Sequence, residues 1–159
     1  MLGCRREAKK TVLLAYEREQ DLAAFGTLLE ARGLRVDFMA VHYYSTDGDV
    51  TAFRNWLQAV HAEYGRPIWV TEFAFIDWTR PRRADYRQNA RFIAEAIAMM
   101  ETLPFVERHA WFAANPYPWA GAAPRINLVS DTLEPTPVGQ AFLRTISRLG
   151  DRRLAAPSN

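Results

Sequence analysis

The sequence predicts an α/β fold, a few parallel strands covered by helices, and three observations carry that prediction. Short apolar runs of strand length alternate with longer segments whose apolar residues recur at helical spacing. The strand-like runs are apolar nearly throughout, as parallel strands buried on both faces are. Glycine, proline and capping residues fall at the junctions between the two kinds of segment.

Thr11 to Tyr16 is a candidate first strand. From Asp21 the pattern becomes regular: Leu22, Phe25, Leu28 and Leu29 recur at helical spacing, and Gly33 is placed to end that helix. Val36 to Tyr44 reads as a strand. Asp49 then caps a helix in which Val50, Phe53, Leu57 and Val60 line one face, and Gly65 closes it. Pro67 opens a second clear strand, Ile68 to Phe73. A helix over about Ala84 to Thr102 follows, striped by Tyr86, Ala90, Ile93, Ile97 and Met100, and Pro104 ends it. Val106 to Ala113 reads as a third strand. After a loop rich in proline and alanine, Thr136-Pro137 starts a last helix that ends near Gly150, with residues 151–159 as a flexible tail. Three to four parallel strands with flanking helices amount to the C-terminal half of a (β/α)8 barrel, which needs eight strands and roughly 250 residues. On that reading the chain is truncated, with an open strand edge on each side.

Composition narrows the function. The chain has 159 residues, 49% hydrophobic and 24% charged, which suits one folded domain rather than a disordered chain. A net charge of +2 gives no ground for expecting a nucleic-acid partner. Cys4 is the one cysteine, so neither an internal disulfide nor a cysteine-based zinc site is expected. No apolar run reaches the roughly 20 residues of a membrane span. Cys4 to Lys10 is polar and basic, and the apolar run after it is too short for a signal peptide. His42, His61 and His109 lack short ligand spacing, and no glycine-rich phosphate loop is present, so neither a metal nor a cofactor is expected.

Chemistry in a parallel barrel gathers at the C-terminal ends of the strands. Here those ends read His42-Tyr43-Tyr44, Thr71-Glu72-Phe73 and Trp111-Phe112. Strict alternation places Phe38, Ala40, His42 and Tyr44 on one face, Ile68, Val70 and Glu72 together, and His109, Trp111 and Ala113 together. With Glu72 turned inward, its expected neighbours are His42, Tyr44 and Trp111. Trp78 and Trp119 lie in the loops that follow, where a cleft wall would stand. A carboxylate among hydrogen-bond donors and flat rings suits sugar chemistry, because glycosidases act through carboxyl groups and aromatic faces receive pyranose C–H groups. The competing reading makes Glu72 a solvated strand end and the tryptophans core. Asp77, the nearest second carboxyl in sequence, falls in a loop and is a candidate for substrate contact. Arg80-Pro81-Arg82-Arg83 reads as a solvated loop, and Met99-Met100 as core filling.

The run Val36-Asp37-Phe38-Met39-Ala40-Val41-His42-Tyr43-Tyr44 resembles the sixth strand of glycoside hydrolase family 128, within the alkali-sensitive-linkage type of glycosyl hydrolase catalytic domain. Arg66-Pro67-Ile68-Trp69-Val70-Thr71-Glu72-Phe73-Ala74 is similar to its seventh strand, and His109-Ala110-Trp111-Phe112 to its eighth. Asn127-Leu128-Val129 and Leu133-Glu134-Pro135-Thr136-Pro137-Val138-Gly139 resemble the final loop and helix start. The resemblance runs from about Leu22 to Leu149. It implies a retaining β-1,3-glucanase fold with Glu72 at the nucleophile position, a polysaccharide or oligosaccharide substrate, and an extracellular or cell-wall location. It divides the chain into a poorly assigned segment 1–20, a partial catalytic domain 21–150 and the tail. The family's acid/base glutamate stands in an Asn-Glu-Pro type motif after the fourth strand; Leu133-Glu134-Pro135 lies in the final loop and does not match it. No acid/base is assigned, the missing N-terminal half is expected upstream, and the isolated chain is expected to be inactive. The alternative is a non-catalytic carbohydrate-binding remnant.

Overall fold

The structure, a computed structural model, describes residues 12–15, 31–33, 35–119 and 121–155. Among the described residues four parallel strands form one sheet in the order β1 (Val12–Ala15), β2 (Phe38–Ser45), β3 (Ile68–Phe75) and β4 (Val106–Trp111). Thr11 to Tyr16 does supply a strand: Val12 pairs with Phe38 and Ala15 with Val41. Helices α1 (Val50–Tyr64) and α2 (Tyr86–Met100) connect β2 to β3 and β3 to β4, and α3 (Pro137–Ala155) follows β4. The helix expected over 21–33 lies almost wholly outside the described residues.

Local chemistry sets the helix boundaries. The Asp49 side chain accepts from the amides of Thr51 and Ala52, and Gly65 ends α1 at φ 58°, a left-handed conformation that glycine adopts without strain. Asp85 and Gln88 form a reciprocal capping box at the start of α2. Thr136 caps α3 through its hydroxyl, which accepts from the Gly139 amide at 3.2 Å and donates to the Asn127 carbonyl at 2.5 Å. The helix then passes through Gly150 to Ala155, beyond the stop expected from sequence. Gly150 does not take the positive φ that terminates α1, and one glycine inside a helix costs only about 1 kcal/mol.

The core lies between the sheet and the helices. Met39 and Val41 of β2, Ile68, Val70, Phe73 and Phe75 of β3, and Trp111 of β4 meet Phe53 and Leu57 of α1 and Phe92, Ile93, Ile97 and Met100 of α2. On the opposite face of the sheet Phe38 stacks on Trp69 at 3.7 Å, and the Arg108 guanidinium lies 4.7 Å above the same indole. The functional side chains gather at the C-terminal end of this second face.

Candidate active site

β3 is out of step with both of its neighbours, and that decides where Glu72 points. Against β2, Val41 stands opposite Val70 but His42 opposite Glu72, so one step on β2 takes two on β3. Against β4, Val70 faces His109 and Phe73 faces Trp111, three steps against two. One extra residue around Thr71 forms a β-bulge, which changes the phase of everything after it. Ile68 and Val70 before the bulge are fully buried in the core, and after it Phe73 is fully buried and Phe75 nearly so. Glu72 therefore leaves the face of Ile68 and Val70, where strict alternation puts it, and joins His42 and Tyr44.

There the Tyr44 hydroxyl donates to Glu72 Oε2, and His42 Nδ1 lies 3.5 Å from the same oxygen. These three side chains and Trp78, Phe112, Tyr117 and Trp119 line a cavity of about 440 Å³. Its walls are rings packed edge to face: Tyr44 on Trp78 at 5.1 Å, Trp78 on Trp119 at 5.0 Å, Phe112 on Tyr117 at 5.0 Å. Trp119 Nε1 donates to the Trp78 carbonyl at 3.2 Å, tying together the loops that follow β3 and β4. A small turn holds Trp119 in place, bridged to Ala122 across Gly121, whose φ is 73°.

Trp111 is not part of this group. It stands opposite Phe73, so the phase that carries Phe73 into the core carries Trp111 there too. Its indole meets Phe73 edge to face at 5.1 Å, and Nε1 donates to the Ile126 carbonyl at 2.6 Å. Phe112, the next residue, turns into the cavity instead. Phe112 and Tyr117 were missed from the sequence. The signal for Phe112 was the spacing of Ile68, Val70, Phe73 and Phe75, whose middle interval of three betrays the bulge.

Residues 17–142 match the family model described as the glycosyl hydrolase catalytic core. The chain belongs to this glycosyl hydrolase family. It is 28% identical over 109 residues to the alkali-sensitive linkage protein 1 of Schizosaccharomyces pombe, covering 69% of this chain and 20% of that protein. Among solved structures, a family 128 subgroup I endo-β-1,3-glucanase from Amycolatopsis mediterranei in complex with laminaritriose superposes with a TM-score of 0.70 at 30% identity. That match covers 84% of this chain and 56% of the glucanase. An exo-β-1,3-glucanase from Cryptococcus neoformans shares the fold, with a TM-score of 0.68 at 21% identity over 81% of this chain and 51% of that one. This glycosyl hydrolase chain thus spans about half the length of the glucanases it matches.

The other carboxylates of the glycosyl hydrolase chain near this end are engaged elsewhere. Asp77 accepts from the Thr79 hydroxyl at 2.6 Å and from Arg80 at 2.9 Å, with Arg83 at 3.8 Å. The Thr79 hydrogen bond, assisted by Arg80, lowers its pKa to about 2. Asp77 is thereby a clip on the loop that carries Trp78, and it does not line the cavity. Asp47 accepts from the Asp49 amide and from the Ser45 hydroxyl, which in that order hold its pKa below the usual aspartate value. Glu134 sits in the turn bridged by Val129 and Pro135. His61 donates to the Arg66 carbonyl at 2.9 Å and stacks on Phe105, while His109 lies 3.7 Å from Glu101.

Proposed function

We propose that this chain is the C-terminal half of a (β/α)8 barrel and supplies the nucleophile of a retaining β-1,3-glucan hydrolase. The observation that carries the reading is the Glu72 carboxylate, presented in an aromatic-walled cavity and bonded there by Tyr44. The match at 30% identity to an endo-β-1,3-glucanase with laminaritriose bound supports the substrate class. Trp78, Phe112 and Trp119 offer flat apolar area to pyranose rings. Among the described residues the contacts on Glu72, from Tyr44 and His42, fall on Oε2, which leaves Oε1 to attack. Attack forms a glycosyl ester with Glu72 as the glycosidic bond breaks and the departing oxygen takes up a proton; water then releases the sugar and restores the carboxylate. Tyr44 and His42 orient Glu72 through both steps. The place of action is outside the cell or in the cell wall, where such polysaccharide lies.

Retaining hydrolysis needs a second carboxyl about 5–5.5 Å from the nucleophile. No other carboxylate of the described residues lines the cavity. On this reading the proton donor comes from the other half of the barrel, and the chain by itself is inactive on polysaccharide. That Glu72 is the one carboxylate among the described residues of the cavity favours a second reading, a non-catalytic site that binds β-glucan.

A 2-deoxy-2-fluoro-laminaribiosyl fluoride separates the two, because fluoride leaves without a proton donor. The purified chain should be labelled on the peptide carrying Glu72, and Glu72→Gln should remain unlabelled, while laminarin releases no reducing sugar. Laminaripentaose binding without any labelling would leave the binding reading standing and remove the nucleophile. Absence of both binding and labelling would remove both.

A further inference from the structure

We propose that Thr71 is the positioning residue that turns Glu72 into the cavity. The bulge leaves Thr71 and Glu72 between two pairs of core residues, Ile68 with Val70 and Phe73 with Phe75, all buried toward the helices. Two successive side chains must then be accommodated away from the core, which regular strand geometry does not allow. The Thr71 hydroxyl donates to the Val41 carbonyl at 3.3 Å. That carbonyl lies at the point on β2 where the register steps from Val41 to His42. The hydroxyl thus ties the extra residue to the neighbouring strand where the ladder breaks, and it does so one residue before Glu72.

Two outcomes are open to a chain without this tie. Sliding β3 into regular alternation would bury the Glu72 carboxylate among apolar side chains and expel Phe73, and the desolvation of a charge opposes that strongly. The bulge therefore persists, but the peptide around Thr71 is released to rotate, and the Glu72 carboxylate drifts from Tyr44. Valine has the shape and strand preference of threonine without the hydroxyl, so Thr71→Val isolates the tie from the fold. The catalytic consequence rests on the reading of Glu72 as nucleophile; the geometric one does not.

The test reads the Tyr44–Glu72 contact without substrate. In the chain labelled with ¹³C at glutamate carboxyls, the Glu72 signal is the one lost in Glu72→Gln. Tyr44→Phe should move that signal in the parent, leave it unmoved in the Thr71→Val background, and move it again in Thr71→Ser. Far-ultraviolet circular dichroism confirms that each variant is folded; should Thr71→Val unfold, Thr71→Ala against Thr71→Ser asks the same question. An equal response to Tyr44→Phe with and without the Thr71 hydroxyl would overturn the proposal. Labelling by the fluoro sugar should slow in Thr71→Val with laminaripentaose affinity retained. If the parent is never labelled while the carboxyl response still depends on Thr71, the nucleophile reading fails and the positioning role stands.

Discussion

Trp111→Phe separates core from site most sharply. In the wild type the indole Nε1 donates to the Ile126 carbonyl at 2.6 Å inside the core, and its ring abuts Phe73 and Phe92. Phenylalanine keeps an aromatic ring against Phe73 but leaves that buried carbonyl without its donor, at a cost of about 1–3 kcal/mol. The lost half of the indole leaves a small void worth about another 1 kcal/mol. The sum, about 2–4 kcal/mol, corresponds to a fall in Tm of roughly 5–15 °C for a chain of this size. Differential scanning calorimetry measures it, and laminaripentaose titration well below the lowered Tm should return wild-type affinity, because the ring does not line the cavity. A variant of unchanged Tm and weakened sugar binding would refute the placement of Trp111 and restore it to the cavity floor.

Trp119→Ala should behave in the opposite way: the side chain is 42% exposed, so Tm should hardly change. Laminaripentaose affinity should nevertheless fall by roughly two- to tenfold, as losing a stacking partner worth about 0.5–1.5 kcal/mol requires; undiminished affinity would exclude that wall. Gly139→Ala should lower Tm by several degrees, since the new Cβ would stand 2.0 Å from the Leu128 carbonyl oxygen. Overpacking of about 1–3 kcal/mol and the disturbed Thr136 cap outweigh a helix-propensity gain of about 1 kcal/mol, and a raised Tm would refute this. Asp77 has a folded pKa of about 2 against an ordinary 3.8, so its contribution to stability is complete above about pH 4 and is lost as pH falls through 2. Acid titration of stability should be steeper between pH 4 and 2 in the wild type than in Asp77→Asn; equal slopes would show that Asp77 does not clip its loop.

Most of the architecture was legible because it is written in short-range signals. Asp49 and Gly65 mark the ends of α1 by their own hydrogen bonds and backbone preferences, so α1 fell where expected, and α2 begins at Tyr86, behind the Asp85 cap, two residues after the expected start. Gly150 shows the limit: a glycine stops a helix only if the chain turns left-handed there, which tertiary packing decides. Glu72, His42 and Tyr44 were brought together as expected, but by a different route from the one alternation suggests. Parity counts residues, and a single inserted residue at Thr71 reverses it, so the counting that grouped Glu72 with Ile68 and Val70 fails there, and so does the one that set Trp111 beside Glu72. Trp78 and Trp119 could be placed only in loops, because the contact between them is made by chain segments 41 residues apart.

That contact gives the protein an optical property of its own. The indoles of Trp78 and Trp119 lie 5.0 Å apart and inclined at 63°. Two chromophores so close and so obliquely set do not absorb independently; their transitions mix, and the sign of the resulting signal follows the sense in which one transition dipole is twisted from the other. The cavity wall therefore carries a built-in circular-dichroism couplet that no label need supply and that Trp119→Phe would abolish. A sugar that spreads the two loops would be seen by the loss of that couplet, even with no bond broken.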